Sequence, residues 1–282
     1  MKKISVFGGS GFIGSKFCDM YNDETIKIDR EDYKPKTNNI LYFISTVGNY
    51  NVHNDLYIDI ETNLNVLMKV LDNTLNTPDI VFNFISSSLV YGQNPKLPFK
   101  EDSSNCYPSG FYSITKHCAE QLLIAFCQTH NIKYRIFRLS TVLGEYDKKI
   151  STKKNVLQFF IKEIVNNKDI SLYYGGKVLR DYIYVDDACS ALKLCMDKAP
   201  INQIINIGTG KPYIFLDMIN KAIEYSGSSS KIIHIQPNSF SNVVQSRDSY
   251  LDITKLVSCG FEQKYTITSV IEKLVDYYKQ NL

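Results

Sequence analysis

No stretch of this 282-residue chain approaches the apolar length of a transmembrane helix, which needs ~20 such residues. The opening apolar run, Ile4 to Phe7, turns at once into a polar, glycine-rich segment. It is shorter than the ~7–15 apolar residues of a signal peptide, so no secretory leader is expected. An excess of charge of either sign is also missing. The chain has 32 basic and 29 acidic residues, a net charge of +3, too balanced to imply nucleic acid or an anionic membrane as partner. Paired cysteines are absent: the seven cysteines, at 18, 106, 118, 127, 189, 195 and 259, are odd in number and form no C-x-x-C. That speaks against a disulfide framework or a zinc site, fits a reducing cytoplasm, and leaves them as small apolar fillers. The histidines, at 53, 117, 130 and 234, have no metal-ligand spacing, so no metal is expected. His117 follows Lys116 and turns ~100° away from it on a helix.

What is present is a globular chain, 44% hydrophobic, long enough for roughly two domains or one domain with a lobe. Short apolar runs alternate with helical patterns. Ile4–Phe7 reads as a buried strand, followed by a helix with Ile13, Phe17 and Met20 at helical spacing. Thr25–Ile28 and Asn39–Ile44 read as further strands. Leu64, Leu67, Met68 and Leu71 mark a helix, and Ile80–Ile85 a strand. Tyr112–Cys127 reads as a long helix with Leu122, Leu123 and Phe126 on one face, and Tyr134–Leu139 as the next strand. This alternation predicts right-handed crossovers and a mostly parallel, doubly wound sheet. After Gly144 the alternation weakens into a basic loop (Lys148, Lys149, Lys153, Lys154) and a helix from Val156 to Asn166. The tail from Gly208 mixes short strands with two amphipathic helices, and Ser226–Ser230 reads as a loop.

Residues 8–14 read GGSGFIG, between a strand and a helix. In such a turn Gly8 permits the tight bend, Gly11 lets backbone approach a pyrophosphate, and Gly14 lets helix and strand pack closely. The phosphates sit at the helix N-terminus, where free amides favour negative charge. Asp29 ends the second strand, where an acid accepts hydrogen bonds from an adenosine ribose and repels a 2′-phosphate. That favours NAD over NADP, although the adjacent guanidinium of Arg30 can offset the repulsion.

Tyr112 and Lys116 are four residues apart and share a helix face. An ammonium there can stabilise a phenolate and draw the phenol towards neutrality, making a general acid or base for a sugar hydroxyl or ketone. Residues 86–92 read SSSLVYG at the end of a strand. Strand ends of such sheets face the ligand crevice, where a serine hydroxyl can hold the reacting oxygen.

These pieces, with PSGFYSITK (108–116), RLSTVLG (138–144), RDYIYVDD (180–187) and NIGTG (206–210), occur in the order found in the extended short-chain dehydrogenase/reductases. The chain resembles the NAD-dependent epimerase/dehydratase family over nearly its whole length. The resemblance implies a Rossmann-like cofactor domain at 1–143, with return segments near 183–207. A smaller, mainly C-terminal substrate-binding lobe is expected at 144–182 and 208–282. It places the catalytic serine at Ser87 beside Ser86 and Ser88, and a fourth member of the set at Asn63, with Tyr112 and Lys116. The cofactor-binding set it implies is Gly8, Gly11, Phe12, Ile13, Gly14, Asp29, Arg30 and Lys116. The substrate set is Ser87, Ser88, Tyr112, Thr141 and Arg180. It also implies a homodimer built from the helices around Leu64–Leu71 and Tyr112–Cys127.

Departures narrow the activity. Family dehydratases carry Asp-Glu after the hydroxyl residue, whereas here Ser88 and Leu89 follow; neither can protonate a leaving hydroxyl. Thr141 replaces an asparagine that touches substrate. The short connection between Asp29 and Asn39 predicts a trimmed sheet edge and a more exposed adenine. The leading expectation is a nucleotide-sugar epimerase acting at sugar carbon 4 with NAD (NADP as the other candidate). A reductase of a nucleotide-linked 4-keto-6-deoxy sugar comes next. A non-catalytic cofactor-sensing protein is third, disfavoured because Ser87, Tyr112 and Lys116 all remain.

Overall fold

The structure, a computed structural model, describes residues 3–281 except 94–95, 103–105, 149 and 245–247, and not the side chains of 243–244. Lys149 of the basic loop therefore lies outside the described residues. The first half contains β1 (Ile4–Phe7), α1 (Phe12–Met20), β2 (Thr25–Ile28), β3 (Asn39–Tyr42), α2 (Ile58–Ile60), α3 (Val66–Asp72), β4 (Val81–Ser87), α4 (Phe111–Thr129), β5 (Lys133–Leu139) and β6 (Thr141–Leu143). The second contains α5 (Val156–Val165), β7 (Ile170–Tyr173), β8 (Leu179–Arg180), β9 (Tyr182–Tyr184), α6 (Val185–Lys198), β10 (Gln203–Ile207), β11 (Tyr213–Ile214), α7 (Phe215–Ser226), β12 (Ile232–Ile235), α8 (Ser239–Val244), α9 (Thr254–Ser258) and α10 (Ile267–Gln280).

Six strands form one parallel sheet in the order β10-β5-β4-β3-β1-β2. The residue period of two in a strand sorts its side chains onto two faces. Ile4, Val6, Leu41, Ile85, Phe137 and Leu139 point to one buried cluster. Phe7, Ile40, Tyr42, Phe82, Phe84 and Ile136 point to the other, beneath α3 and α4. Each such fully buried side chain contributes about 1.5–3 kcal/mol of transfer free energy, so burial on both faces holds the sheet in register.

The chain runs from β1 outward to β2, then returns past β1 to β3. The order of winding therefore reverses between β1 and β3, which is where ligands bind in open α/β sheets. The return, residues 29–38, contains no helix, and β2 is the sheet edge, so the edge is trimmed as expected. Ser5 on the central strand β1 holds this crossing. Its hydroxyl accepts from the amides of Lys36 and Thr37, each at 2.9 Å, while its own amide donates to Thr37 Oγ1 at 3.0 Å.

The structure corrects several sequence-based expectations. The third strand ends at Tyr42, not Ile44, and the fourth starts at Val81 and continues to Ser87. In α4 the buried residues include Tyr112, Lys116, Ala119, Glu120, Leu123 and Cys127. Leu122 does not share Leu123's face: neighbours on a helix are ~100° apart, and Leu122 is 38% exposed. The return segments expected near 183–207 are the helix α6 and the strand β10. α6 lays Val185, Ala188, Cys189, Ala191, Leu192 and Cys195 against the sheet, and β10 adds the sixth strand.

α5, α7 and α10 pack on one another beside the sheet. Leu157, Ile161, Met218, Ile219, Val270 and Leu274 join the same apolar cluster as Ile4 and Phe137, so sheet and lobe share a core. Among the described residues no helix is long and apolar enough to cross a membrane.

Candidate active site

The glycine turn follows β1 directly. Gly8 has φ +76°, a left-handed conformation that costs glycine little, and its carbonyl accepts from Gly11 N at 3.0 Å. Gly14, in the first turn of α1, lies against this bend: a Cβ on it would sit 2.3 Å from Gly8 O. Gly11 is the N-cap of α1 and supplies no side-chain cap. The first amides of α1 are left for an external acceptor, and a pyrophosphate fits that demand. Phe12 and Ile13 are half-buried in the same turn; Asp29 and Arg30 are exposed at the end of β2. Asp29 uses its carbonyl to accept from Asp32 N at 3.0 Å and keeps its carboxylate at the surface.

The turn also touches the next strand end. A Cβ on Gly8 would lie 3.1 Å from Ile44 N, just before Ser45-Thr46. This contact joins the glycine turn to the segment that carries Ser45 and Thr46. Asn63 is buried in a π-helical segment, Glu61–Asn65, between α2 and α3; such irregularities recur at functional sites. Its Oδ1 accepts from Ser45 Oγ and Thr46 N, each at 2.9 Å. Its Nδ2 donates to Thr46 Oγ1 and Thr115 Oγ1, each at 3.0 Å. All four hydrogen-bonding positions of the amide are used, so Asn63 ties the β3 end to α4.

Tyr112 stands in the first turn of α4. Gly110 at the N-cap has no side chain to cap that turn, and Asn49 supplies the acceptor: its Oδ1 takes Ser113 N at 3.3 Å. A Cβ on Gly110 would fall 2.2 Å from the same oxygen, which is why the position excludes larger residues. The Tyr112 phenol is buried, and the hydroxyls of Ser87 and Ser45 reach it. Ser87 also accepts from Leu89 N at 3.2 Å as it leaves β4. Lys116, 2% exposed, donates from Nζ to the carbonyl of Ile85 on β4 at 2.6 Å and lies 4.2 Å from the Phe84 ring centroid. β4 therefore carries Ser87 and anchors Lys116, while α4 carries Tyr112.

The electrostatics differ from expectation. Burial raises the Tyr112 phenol above its ordinary range; hydrogen bonds from Ser87 and Ser45 act against the rise, and the Asp59 carboxylate adds to it. Lys116 is itself pushed down to about 7, chiefly by desolvation and against the pull of Glu120. The ammonium does not draw the phenol towards neutrality: its hydrogen bond goes to Ile85, and burial acts on both groups. Glu120, one turn beyond Lys116, is held by Arg138, whose Nε and Nη2 donate at 3.1 and 2.7 Å.

Because Lys116 gives up its proton more readily in the folded chain, burial of its ammonium costs stability in full below pH about 7. That cost is relieved as pH rises from there towards the ordinary lysine range. Urea unfolding of the parent and Lys116→Met should show the parent gaining on the variant with pH, by up to about 1.4 kcal/mol per pH unit in that window. A difference that stays flat with pH contradicts the burial assigned to Lys116.

The remaining expected substrate residues lie on the same edge or in the lobe. Ser88 opens the turn after β4, and Thr141 is half-buried on β6, with its amide donating to Asp181 O at 3.3 Å. Arg180 is half-buried on β8, beside β11 and Ser249. Sequence reasoning missed Ser45, Thr46, Asn49 and Asp59. The first two were accessible to the rule applied to Ser87: they follow shortly after a parallel strand, β3. Among the described residues no cluster of His, Cys, Asp and Glu could hold a metal.

The "low-salt glycan biosynthesis protein Agl12" of Haloferax volcanii is 26% identical over 98% of this chain and 98% of its own. The UDP-glucose 4-epimerase of Thermotoga maritima, solved with UDP-glucose, superposes with a TM-score of 0.88 at 22% identity over 99% of both chains. The UDP-glucuronic acid 4-epimerase of Bacillus cereus, solved with UDP-glucuronic acid and NAD, gives a TM-score of 0.88 at 21% identity over 99% of this chain and 100% of its own. A family model, "NAD dependent epimerase/dehydratase family", matches residues 39–208. The match begins at β3, so the glycine turn stands on its geometry. With Ser87, Asn63, Tyr112 and Lys116 all inside the matched span, the chain belongs to the NAD-dependent epimerase/dehydratase family.

Proposed function

We propose that this protein is a nucleotide-sugar 4-epimerase using NAD. The convergence of Tyr112 and Ser87 at the strand ends next to the Gly8 turn carries this reading. The two solved relatives described above, acting on UDP-sugars, support the substrate class. When bound, the nicotinamide supplies a hydride acceptor that can return the hydride. Tyr112 exchanges the proton of the sugar hydroxyl, Ser87 holds that oxygen, and Lys116 orients the nicotinamide ribose. Asn63 keeps Ser45 against the phenol. Gly8, Gly11, Phe12, Ile13 and Gly14 form the dinucleotide turn, with Asp29 and Arg30 at the adenosine ribose. Residues 144–182 and 208–282 act as the substrate lobe, to which Arg180 and Thr141 contribute, with Ser88 at the strand end.

A reductase of a 4-keto sugar nucleotide is the second reading. It is favoured by the raised Tyr112 phenol, a group held as a proton donor. Incubation with individual sugar nucleotides, following the absorbance of the reduced cofactor, distinguishes the two. Epimerisation predicts conversion without net oxidation of NADH or NADPH; net oxidation supports the reductase.

The free, mostly buried cysteines support a cytoplasmic setting. A homodimer is favoured by two sets of exposed apolar side chains, one along the 57–68 segment and one along α4. Tyr57, Ile60 and Met68 form one, and Phe111, Ile114 and Leu122 form the other; all six are exposed. Single buried side chains of this kind contribute about 1.5–3 kcal/mol, so Ile114→Asp should shift sedimentation from dimer to monomer. An unchanged sedimentation coefficient places the interface elsewhere.

A further inference from the structure

Glu120 and Arg138 are 0% and 2% exposed, and the reaction proposed above assigns neither of them a part. The guanidinium grips both carboxylate oxygens, Nε on Oε1 at 3.1 Å and Nη2 on Oε2 at 2.7 Å. Taking two ions out of water is costly, and apolar side chains of similar volume in such a place are often as stable or more so. Arg138 Nη1 adds to the cost, being buried without a hydrogen-bond partner among the described residues. Stability therefore does not account for the pair. What a two-pronged ion pair has, and an apolar contact lacks, is direction.

α4 packs on β4, whose neighbours in the sheet are β3 and β5. Its inner apolar side chains include Ala119, Leu123 and Cys127, and their burial alone leaves the helix free to roll. Towards β3 the helix is tied by Thr115 Oγ1, which accepts from Asn63 Nδ2 at 3.0 Å. Towards β5 it is tied by Glu120. Ties on opposite flanks fix the roll of a helix about its own axis. Lys116 reaches Ile85 O between them, but the proposed reaction gives that ammonium to the nicotinamide ribose, so this tie is not a standing one. Tyr112, Lys116 and Glu120 are spaced by four and share one face. Whatever turns Glu120 turns the other two.

Arg138 is itself held in place. On β5 it stands in register between Ser86 of β4 and Asn206 of β10. Its guanidinium carbon lies 4.7 Å from the centroid of the Tyr91 ring, a cation–π contact. Tyr91 ends the turn 88–91 that opens at Ser87. Its hydroxyl donates to Asn206 Oδ1 at 2.7 Å, and its ring stacks on Phe99 at 4.9 Å. Asn206 Nδ2 donates to Phe99 O and Asp252 O at 2.9 and 3.0 Å. One arginine thus faces the turn that follows Ser87 and grips the helix that carries Tyr112. His117 Nδ1 stands 3.6 Å from Glu120 Oε2, beyond hydrogen-bond distance, and cannot replace that grip.

We propose that Glu120 and Arg138 are positioning residues: their ion pair sets the roll of α4, and so the place of Tyr112 and Lys116 over the end of β4. This rests on the reading that Tyr112 and Ser87 act on the sugar hydroxyl. Removing one partner alone would strand a buried charge, so the test replaces both, as Glu120→Met with Arg138→Met in the full chain. The double variant is expected to match or exceed the parent's urea midpoint. Its turnover at saturating sugar nucleotide should nevertheless fall roughly 100-fold, the effect of about 1 Å of misplacement, with KM little changed. A pair that only held the helix down would lower the urea midpoint and leave turnover of the folded protein unchanged. The structure of the double variant reads the positions without any substrate: α4 should be rolled, with Lys116 Nζ no longer at Ile85 O. An unmoved α4 in the folded double variant overturns the proposal, and so does parent-level turnover. If the double variant does not fold, the same two measurements on Arg138→Lys, which keeps the charge but not the fork, carry the same expected results. If no sugar nucleotide reacts with the parent protein, the proposed reaction fails and the position of α4 alone decides.

Discussion

Replacing Tyr112 by phenylalanine is expected to lower turnover by roughly 10²–10⁴-fold, the range contributed by a positioned general acid or base, with little change in cofactor affinity. Ser87 and Ser45 both act on the phenol, and phenylalanine keeps the ring that fills the helix–sheet space. Each serine loses one hydrogen bond, a stability effect of about 0.5–1.5 kcal/mol apiece, so the variant should remain folded. Turnover of a reactive sugar nucleotide by parent and variant, alongside NAD binding by calorimetry, measures both parts. Full activity in Tyr112→Phe would move the proton transfer to another residue. Full biological activity of a catalytically inert variant would restore the view of the protein as a cofactor sensor.

A methyl group at Gly14 should damage the cofactor site from within. The added Cβ would stand 2.3 Å from Gly8 O, and that oxygen is backbone, already used by Gly11 N at 3.0 Å. It cannot move without opening the turn. Overpacking of this kind costs about 1–3 kcal/mol. Gly14→Ala is therefore expected to lose stability by that amount in urea and to bind NAD roughly 10–100-fold more weakly, since about 1.4 kcal/mol is a decade in affinity. Gly11→Ala is the contrast. Its Cβ would be 3.3 Å from Gly8 O, a contact the turn can relax, so stability should change little while affinity falls wherever the pyrophosphate approaches that residue. Equal effects of the two variants would contradict the roles given to them.

The order of strands and helices was legible because the apolar runs of the Rossmann half are short, bounded and separated by helical patterns. Ile4–Phe7 and Thr25–Ile28 are strands at those residues. The trimmed edge was also legible: residues 29–38 are too few for the missing helix and strand. α6 was hidden because its outer face is polar, with Asp186, Lys193, Asp197 and Lys198, and its buried face itself carries Asp187 among apolar residues. The short strands of the lobe were expected but could not be placed, because several, such as β8 and β11, are two residues long. Within the site, a helical spacing of four places Tyr112 and Lys116 on one face. Sequence could not reveal that Lys116 would reach Ile85 O, because that contact depends on how deeply α4 sits on β4. Burial also decided the sign at Tyr112, where charge pairing alone pointed the other way. Ser45, Thr46 and Asp59 lie 13–18 residues from their partners in the network around Asn63, and only the fold closes that distance.

The central claim is that Tyr112 and Ser87 meet a sugar hydroxyl beside the turn at Gly8. It is tested most directly by determining the structure of the protein with NAD and a UDP-sugar bound. The account predicts the pyrophosphate at the N-terminus of α1 and one sugar hydroxyl within about 2.6–3.2 Å of Tyr112 Oη and within hydrogen-bond reach of Ser87 Oγ. A dinucleotide bound away from the glycine turn, or a sugar ring held beyond reach of both hydroxyls, would contradict it.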